Sequence, residues 1–155
     1  THFCSADEAL APYKVGSHRH TPEMEQVLGT AAGRSLSVSF TPHLVPMSRG
    51  LLSTVYLEVA DGLTTADAYE LYRARYAGEP FVNVHAPGSM PSTAEVRGTN
   101  RAAVAVHVDE RTRTLTAACA IDNLGKGSAG QAIQCVNAVL GFAETDGLNA
   151  PAPVV

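Results

Sequence analysis

Apolar residues recur along this chain in two patterns, one typical of helices and one typical of strands. Helices are predicted over 22–32, 66–76 and 127–142, and strands over 35–40, 54–59, 81–84, 101–108 and 114–121. Residues 1–13 also have helix-compatible spacing, which Pro12 would end. A short polar segment joins the last two strands and predicts a hairpin. The order of elements therefore predicts an α+β fold with a largely antiparallel or mixed sheet and helices on one face.

The best-marked helix start lies at Thr21-Pro22-Glu23. A threonine hydroxyl can cap a helix, proline suits the first helical turn, and an acidic residue there complements the helix dipole. Gly33 is placed to end the same helix.

Composition fits one globular domain, predicted over 1–148 and followed by an irregular tail at 149–155. The chain has 155 residues, of which 45% are hydrophobic, and a formal net charge of −4. Since 11 basic residues face 15 acidic ones without a basic run, neither nucleic acid nor a membrane is the expected partner. Because the chain opens with Thr1 instead of methionine, we expect a fragment, a processed chain or missing N-terminal sequence.

Three sparse cysteines, Cys4, Cys119 and Cys135, favour a reducing compartment over a disulfide framework. Cys119 and Cys135 lie in apolar periodic segments, so we expect them in the core. Cys4 has no obvious activating neighbour besides His2. No secretory signal opens the chain, which is in line with a cytoplasmic protein.

Ionisable groups are densest in the segment HRHTPE at 18–23, directly before the predicted helix. The imidazoles of His18 and His20 can exchange protons near neutral pH, and Glu23 is close enough in sequence to orient one. A solvated entry loop would have the same composition. A zinc site would need further ligands, and His43, His85 and His107 do not have ligand spacing.

Two glycine-bearing segments are further candidates. The segment GKGSAG at 125–130 matches the dinucleotide fingerprint G-x-G-x-x-G. The match is interpreted as accidental, because no second parallel strand is predicted after the helix. Asn123 and Lys126 beside it could still contact a phosphate, carboxylate or carboxamide. In the segment PMSRG at 46–50, Arg49 could present its guanidinium to a carboxylate or lie in an ordinary surface turn.

Three strings in this order resemble N-acetyl-gamma-glutamyl-phosphate reductases of arginine biosynthesis. They are VGSHRHTPE at 15–23, SVSFTP running through PMSRG over 37–50, and AIDNLGKGSAGQA at 120–132. The resemblance implies a fold like that of glyceraldehyde-3-phosphate and aspartate-semialdehyde dehydrogenases. In that family an NADP-binding Rossmann domain precedes an α+β domain that supplies catalytic groups and subunit contacts. This chain resembles the second domain alone, since the Rossmann fingerprint and the Gly-Cys-Tyr-Pro-Thr string of the nucleophile are absent.

The resemblance also implies roles for the residues above. The substrate would be N-acetyl-gamma-glutamyl phosphate, attacked by a cysteine outside this chain, with NADP as cofactor, no metal and a homo-oligomer of two or four subunits. His20, or else His18, would be the acid/base catalyst, and Glu23 would orient it. The remaining candidates are Arg19 and Arg49 for substrate binding, and Asn123 and Lys126 for the cofactor. Rival hypotheses are a non-catalytic oligomerisation module and a metal-dependent hydrolase using His18 and His20.

Overall fold

The computed structural model describes residues 7–149, which divide into two compact units between Ser48 and Arg49. The first unit contains β1 (Ala11–Pro12), α1 (Thr21–Ala32) and β2 (His43–Leu44). The second contains β3 (Leu51–Glu58), α2 (Thr65–Arg75), β4 (Val82–Val84), α3 (Thr93–Val96), β5 (Ala102–Asp109), β6 (Thr114–Ile121) and α4 (Gly130–Leu140). A π-helical turn, Gly125–Ala129, lies between β6 and α4. Within residues 7–149, no helix is both long and apolar enough to cross a membrane.

Helix α1 has nearly the predicted bounds. It ends at Gly33, whose φ of 65° is a left-handed conformation that glycine adopts without steric cost. The predicted cap is wrong, because Thr21 is the first helical residue and His20, at the N-cap, makes no side-chain capping bond. Pro22 and Glu23 occupy the first turn as predicted.

Two predicted elements of the first unit are not found. Residues 1–6 of the helix predicted over 1–13 lie outside the described residues, and residues 7–13 contain no helix and include β1. The predicted strand at 35–40 is not assigned as a strand, although Leu36, Val38 and Phe40 alternate with exposed serines as half-buried residues. The backbone N–H of Val38 donates to Glu25 Oε1 at 2.9 Å. Alternating burial therefore arises here without a neighbouring strand.

The second unit is built on a four-stranded sheet in the order β3-β6-β5-β4. Its β3–β6 and β5–β6 pairs are antiparallel, and β4 pairs parallel to β5. The mixed sheet and the β5–β6 hairpin are therefore as predicted. Strand β3 begins at Leu51, three residues before its predicted start.

The core of this unit lies between the sheet and α2. Ala68 of α2 packs with Val106 and Val108 of β5 and Leu115 of β6. Helix α2 begins with a capping box in which Asp67 N–H donates to the Thr64 hydroxyl and the Asp67 carboxylate accepts from the Thr64 N–H.

The one-turn helix α3 contributes a second apolar cluster. Its Val96 packs with Ala103 and Ala120, which alternate to the opposite face of the sheet. Helical side chains therefore contact both faces.

Strand β3 and helix α4 leave apolar side chains exposed. All eight residues of β3 are exposed, and Tyr56 retains 69% of its accessible surface. Val139 of α4 is 83% exposed and helps to line a groove of about 280 Å³ with Cys135, Val136 and Leu140. The predicted core position of Cys135 is wrong, because the face of α4 that carries this residue is exposed. Cys119 is half-buried.

Candidate functional site

The two histidines of the first unit lie together in the turn before α1. Their ring centroids are 4.9 Å apart, and the rings meet edge to face. His18 is half-buried and also meets the rings of Tyr13, at 5.6 Å, and Phe40, at 5.2 Å. These ring contacts hold the side chain of His18 in place, whereas the side chain of His20 is exposed.

Hydrogen bonds at both ring nitrogens hold His18 in place. Its Nδ1 accepts from the backbone N–H of His20 at 3.2 Å, so the neutral ring carries its proton on Nε2. This Nε2 lies 3.4 Å from the Tyr13 hydroxyl. Partial burial lowers the pKa of His18, and the positive charges of His20, Lys14 and Arg19 lower it further. Both effects favour the neutral form of His18.

Arg19, His20 and Glu23 are exposed side chains around this turn. Among residues 7–149, no hydrogen bond or ion pair joins the Glu23 carboxylate to either imidazole. The structure brings the two histidines together but does not bring Glu23 into contact with them.

The second cluster forms where residues 49 and 50, just before β3, meet residues 122 and 123, just after β6. Arg49 Nε lies 2.7 Å from Asp122 Oδ2, and the Gly50 N–H donates to Asn123 Oδ1 at 2.7 Å. These contacts follow from the β3–β6 register, in which Leu51 is opposite Ile121. Two separate candidates in the sequence, Arg49 and Asn123, are thus neighbours in the second unit.

Asp122 is fully buried at the centre of this second cluster. Its Oδ1 accepts from the N–H groups of Leu124 and Gly125 at 2.8 and 2.9 Å, and its Oδ2 accepts from Gly98 at 2.5 Å. Burial alone would raise the pKa of Asp122, but Arg49 and these three N–H groups outweigh it and hold the pKa well below its usual range. The carboxylate is therefore ionised throughout the physiological range.

Sequence reasoning missed Asp122, although it lies inside one of the matching strings. A signal was present, since an aspartate directly after a strand and before a glycine-rich turn is placed to accept backbone N–H bonds.

Glycines 125 and 130 permit close packing at this junction. A Cβ on Gly125 would come within 2.5 Å of the Thr99 carbonyl oxygen, and one on Gly130 would overlap the Asn100 side-chain oxygen. Strand β6 is antiparallel to both its neighbours, and the described residues after α4 contain no strand. The G-x-G-x-x-G match is therefore a packing feature of this fold.

Lys126 lies in the π-helical turn with its ammonium turned toward protein groups. Its Nζ donates to Gln134 Oε1 at 2.7 Å and lies 5.5 Å from the centre of the Phe81 ring. Partial burial lowers its pKa, while Glu144, Cys135 and Glu79 act in the opposite direction. Within residues 7–149, no group of three or more potential metal-ligating side chains is assembled.

The sheet and its helices have a fold that is found in solved structures. They resemble the crystal structure of aspartate semialdehyde dehydrogenase II from Vibrio cholerae, with a TM-score of 0.63 and 17% identity over 79% of this chain and 37% of that chain. The same enzyme complexed with ASA gives a TM-score of 0.61 over the same shares. The fold is therefore that of a semialdehyde dehydrogenase domain, as the sequence resemblance implied.

The family model described as "Semialdehyde dehydrogenase, dimerisation domain" matches residues 1–123, and the chain belongs to this family. Its relatives include N-acetyl-gamma-glutamyl-phosphate reductases from Pelobacter propionicus (52% identity), Desulforudis audaxviator (50%) and Staphylococcus aureus (46%). These matches cover 95–97% of this chain but 43–44% of each relative, so the chain spans less than half their length. The resemblance inferred from the three strings is confirmed.

Proposed function

We propose that this chain is the second domain of a cytoplasmic N-acetyl-gamma-glutamyl-phosphate reductase of arginine biosynthesis. The enzyme would convert N-acetyl-gamma-glutamyl phosphate to N-acetylglutamate semialdehyde and phosphate. The observation that carries this proposal is the 52% identity to such a reductase over 95% of the chain. A metal-dependent hydrolase has no comparable support.

In the proposed reaction, a cysteine thiolate outside this chain attacks the acyl phosphate, phosphate leaves, and a thioester forms. NADPH, which the other domain would mainly bind, would supply the hydride that converts the thioester to a hemithioacetal, and cleavage of its C–S bond would release the semialdehyde and the thiolate. This chain supplies the imidazole that moves a proton between the thiol and the oxygen of the hemithioacetal.

His20 is the better candidate for this proton transfer. Its exposed ring makes no hydrogen bond or ion pair with residues 7–149, so both ring nitrogens are available to a substrate. His18, by contrast, is fixed at both nitrogens and favours the neutral form. We therefore assign acid/base catalysis to His20. His18 would hold the backbone of His20 in place by accepting its N–H.

The orienting role of Glu23 stays a prediction, because no hydrogen bond or ion pair joins its carboxylate to either imidazole among residues 7–149. The binding of an anionic substrate group by exposed Arg19 also stays a prediction.

The groups proposed for the cofactor differ in their fit. Asn123 Oδ1 accepts from Gly50, which leaves its amide N–H groups to donate to a carboxamide oxygen. Lys126 fits a phosphate less well, because its ammonium is bound to Gln134. In this part of the site, Asn123 is therefore the stronger candidate for NADP.

A homo-oligomer of two or four subunits is part of the proposal. The matched family is described as a dimerisation domain. Strand β3, whose eight residues are all exposed, carries apolar side chains at Leu51, Leu52, Val55 and Leu57. An exposed apolar edge strand promotes aggregation unless another chain covers it. A second copy of this domain is the proposed occupant.

The test is an NADPH-oxidation assay on the complete protein that carries this chain, in parallel with the 155-residue chain alone. We expect steady oxidation with N-acetyl-gamma-glutamyl phosphate in the complete protein and none with the isolated chain. Turnover by the isolated chain, or a complete protein that is inactive with this acyl phosphate while folded, would refute the proposal.

A further inference from the structure

The turn between β6 and α4 has a rare backbone form, because residues Gly125–Ala129 are π-helical. Three backbone N–H groups here donate to the carbonyl five residues earlier: Gly127 to Asp122 at 2.9 Å, Ala129 to Leu124 at 3.2 Å, and Gly130 to Gly125. An α-helical turn would close each bond one residue earlier. Contacts from other parts of the fold are therefore needed to keep the wider form.

Side-chain contacts join this turn to α4 through Gln134. The Gln134 Oε1 accepts from Lys126 Nζ at 2.7 Å, and the Gln134 Nε2 donates to Glu144 Oε1 at 2.5 Å. The amide thus has an ammonium group at its oxygen and a carboxylate at its nitrogen, which is the orientation that both charges favour. These three side chains form the Lys126–Gln134–Glu144 bridge.

The bridge also determines the orientation of Asn100. This residue keeps 4% of its accessible surface, and its Nδ2 donates to Gln134 Oε1 at 2.9 Å. Its Oδ1 is buried and has no hydrogen-bond partner among residues 7–149. Turning the Asn100 amide over would bring its oxygen to the Gln134 oxygen, where no donor lies. Asn100 therefore follows the orientation of Gln134, although one buried acceptor stays unpaired.

The register of the turn affects Asn123, which lies two residues before it and accepts the Gly50 N–H. If the turn relaxed to α-helical bonds, the residues before it would move by one position relative to α4, a rotation of about 100°. The Asn123 amide would then leave Gly50. Lys126 lies inside the turn and Gln134 lies in α4, so the hydrogen bond between them opposes this change.

We propose that Gln134 is a positioning residue, which locks the π-helical register through Lys126 and Glu144 and thereby directs the Asn123 amide N–H groups to the cofactor. This inference rests on the proposed function, in which Asn123 donates to a carboxamide oxygen of NADP. Gln134 itself needs no contact with the cofactor.

The first experiment is amide hydrogen exchange of the 155-residue chain, followed by NMR. Gln134→Met keeps the length of the side chain but removes its amide, so the Gly130 N–H should exchange at least about tenfold faster and the Asn123 side-chain signals should shift. Gln131→Met makes the same change at an exposed position of α4 and should alter neither. An unchanged Gly130 rate in Gln134→Met would overturn the lock.

Lys126→Met is the second variant, which decides the question if Gln134→Met does not fold. It leaves the bonds of Gln134 to Asn100 and Glu144 in place and removes only the link to the turn. The same faster exchange at Gly130 is expected, and a wild-type rate would overturn the lock.

The second experiment is a titration of the complete protein with NADPH. Gln134→Met should raise the Kd of NADPH by about 2–10-fold, the size of one lost hydrogen bond between neutral groups, and leave the KM of the acyl phosphate unchanged. In an Asn123→Ala background it should have no further effect, because both changes remove the same contact. An equal rise in both backgrounds would overturn the positioning role.

An exchange of groups provides a rescue. Gln134→Glu alone places two carboxylates together and should also weaken NADPH binding. In the double variant Gln134→Glu/Glu144→Gln the carboxylate and the amide change places, the bridge can form again, and the Kd should return toward that of the wild type. A double variant as weak as Gln134→Glu alone would overturn the proposal.

The two proposals fail separately. A complete protein that binds NADPH without oxidising it refutes the proposed function, and these titrations still test the role of Gln134. An active reductase in which Gln134→Met changes neither exchange nor affinity overturns the role of Gln134 alone.

Discussion

Removing the Asp122 carboxylate should destabilise the second unit far more than removing any surface carboxylate. In Asp122→Ala, three backbone N–H groups lose their acceptor, and Arg49 loses its ion-pair partner. Leu124 is exposed, so water can replace its bond, but Gly98 and Gly125 are half-buried. At about 1.5–3 kcal/mol for each bond to a charged group, those two alone give a loss of about 3–6 kcal/mol. Such a loss is a large part of a typical free energy of unfolding, which is about 5–15 kcal/mol.

The assay is urea unfolding followed by far-ultraviolet circular dichroism, since the chain has no tryptophan. Asp122→Asn is the informative variant, because it keeps one acceptor oxygen and is the better candidate to stay folded. Asp61→Asn is the matched control: Asp61 pairs with Arg113 at 3.4 Å but is 83% exposed, and its loss should leave the free energy of unfolding unchanged.

The dependence on pH has a definite sign. The pKa of Asp122 is depressed in the folded chain, so its stabilising effect is complete above the unfolded value of about 3.9 and is lost as the pH falls below it. The gap between wild type and Asp122→Asn should therefore be largest at pH 6 and shrink toward pH 2. A gap below about 1 kcal/mol at pH 6, or one that widens on acidification, would refute this reasoning.

Three further predictions concern other residues. Alkylation resolved by mass spectrometry should modify exposed Cys135 before Cys119, whose pKa is raised by burial; equal rates near pH 7.5 would contradict the description of both thiols. Gly130→Ala should lower the free energy of unfolding by about 1–3 kcal/mol, because its methyl group would overlap Asn100; a melting temperature equal to that of wild type would refute the close approach. Thr64→Ala should cost about 1 kcal/mol through the lost cap of α2, while Thr64→Ser should recover most of it; equal urea midpoints for the two variants would show that the cap does not matter.

The spacing of apolar residues predicted an element correctly where its apolar face packs against its neighbours in the fold. Helix α2 has a capping box in its sequence and an inward-facing Ala68, and strands β5 and β6 have a hairpin between them. It failed at 35–40, where alternation in burial exists without a strand partner. It also failed for Cys135, because an apolar helical stripe indicates a buried face without stating which molecule buries it.

The site was predictable only in part, for a similar reason. The motif placed His18 and His20 in one turn, but which ring is fixed depends on Tyr13 and Phe40, which lie outside that string. The pairing of Arg49 with Asp122 joins residues more than seventy positions apart through the β3–β6 register. Only the folded sheet brings such groups together, so local spacing carries no signal for the contact.

The kcat of His20→Asn in the complete enzyme is the decisive measurement for the proposed proton transfer by an imidazole of this chain. We predict a fall in kcat of about 10²–10⁴-fold with little change in KM, and a smaller loss in His18→Asn. A kcat of His20→Asn equal to that of the wild type would show that His20 does not transfer the proton.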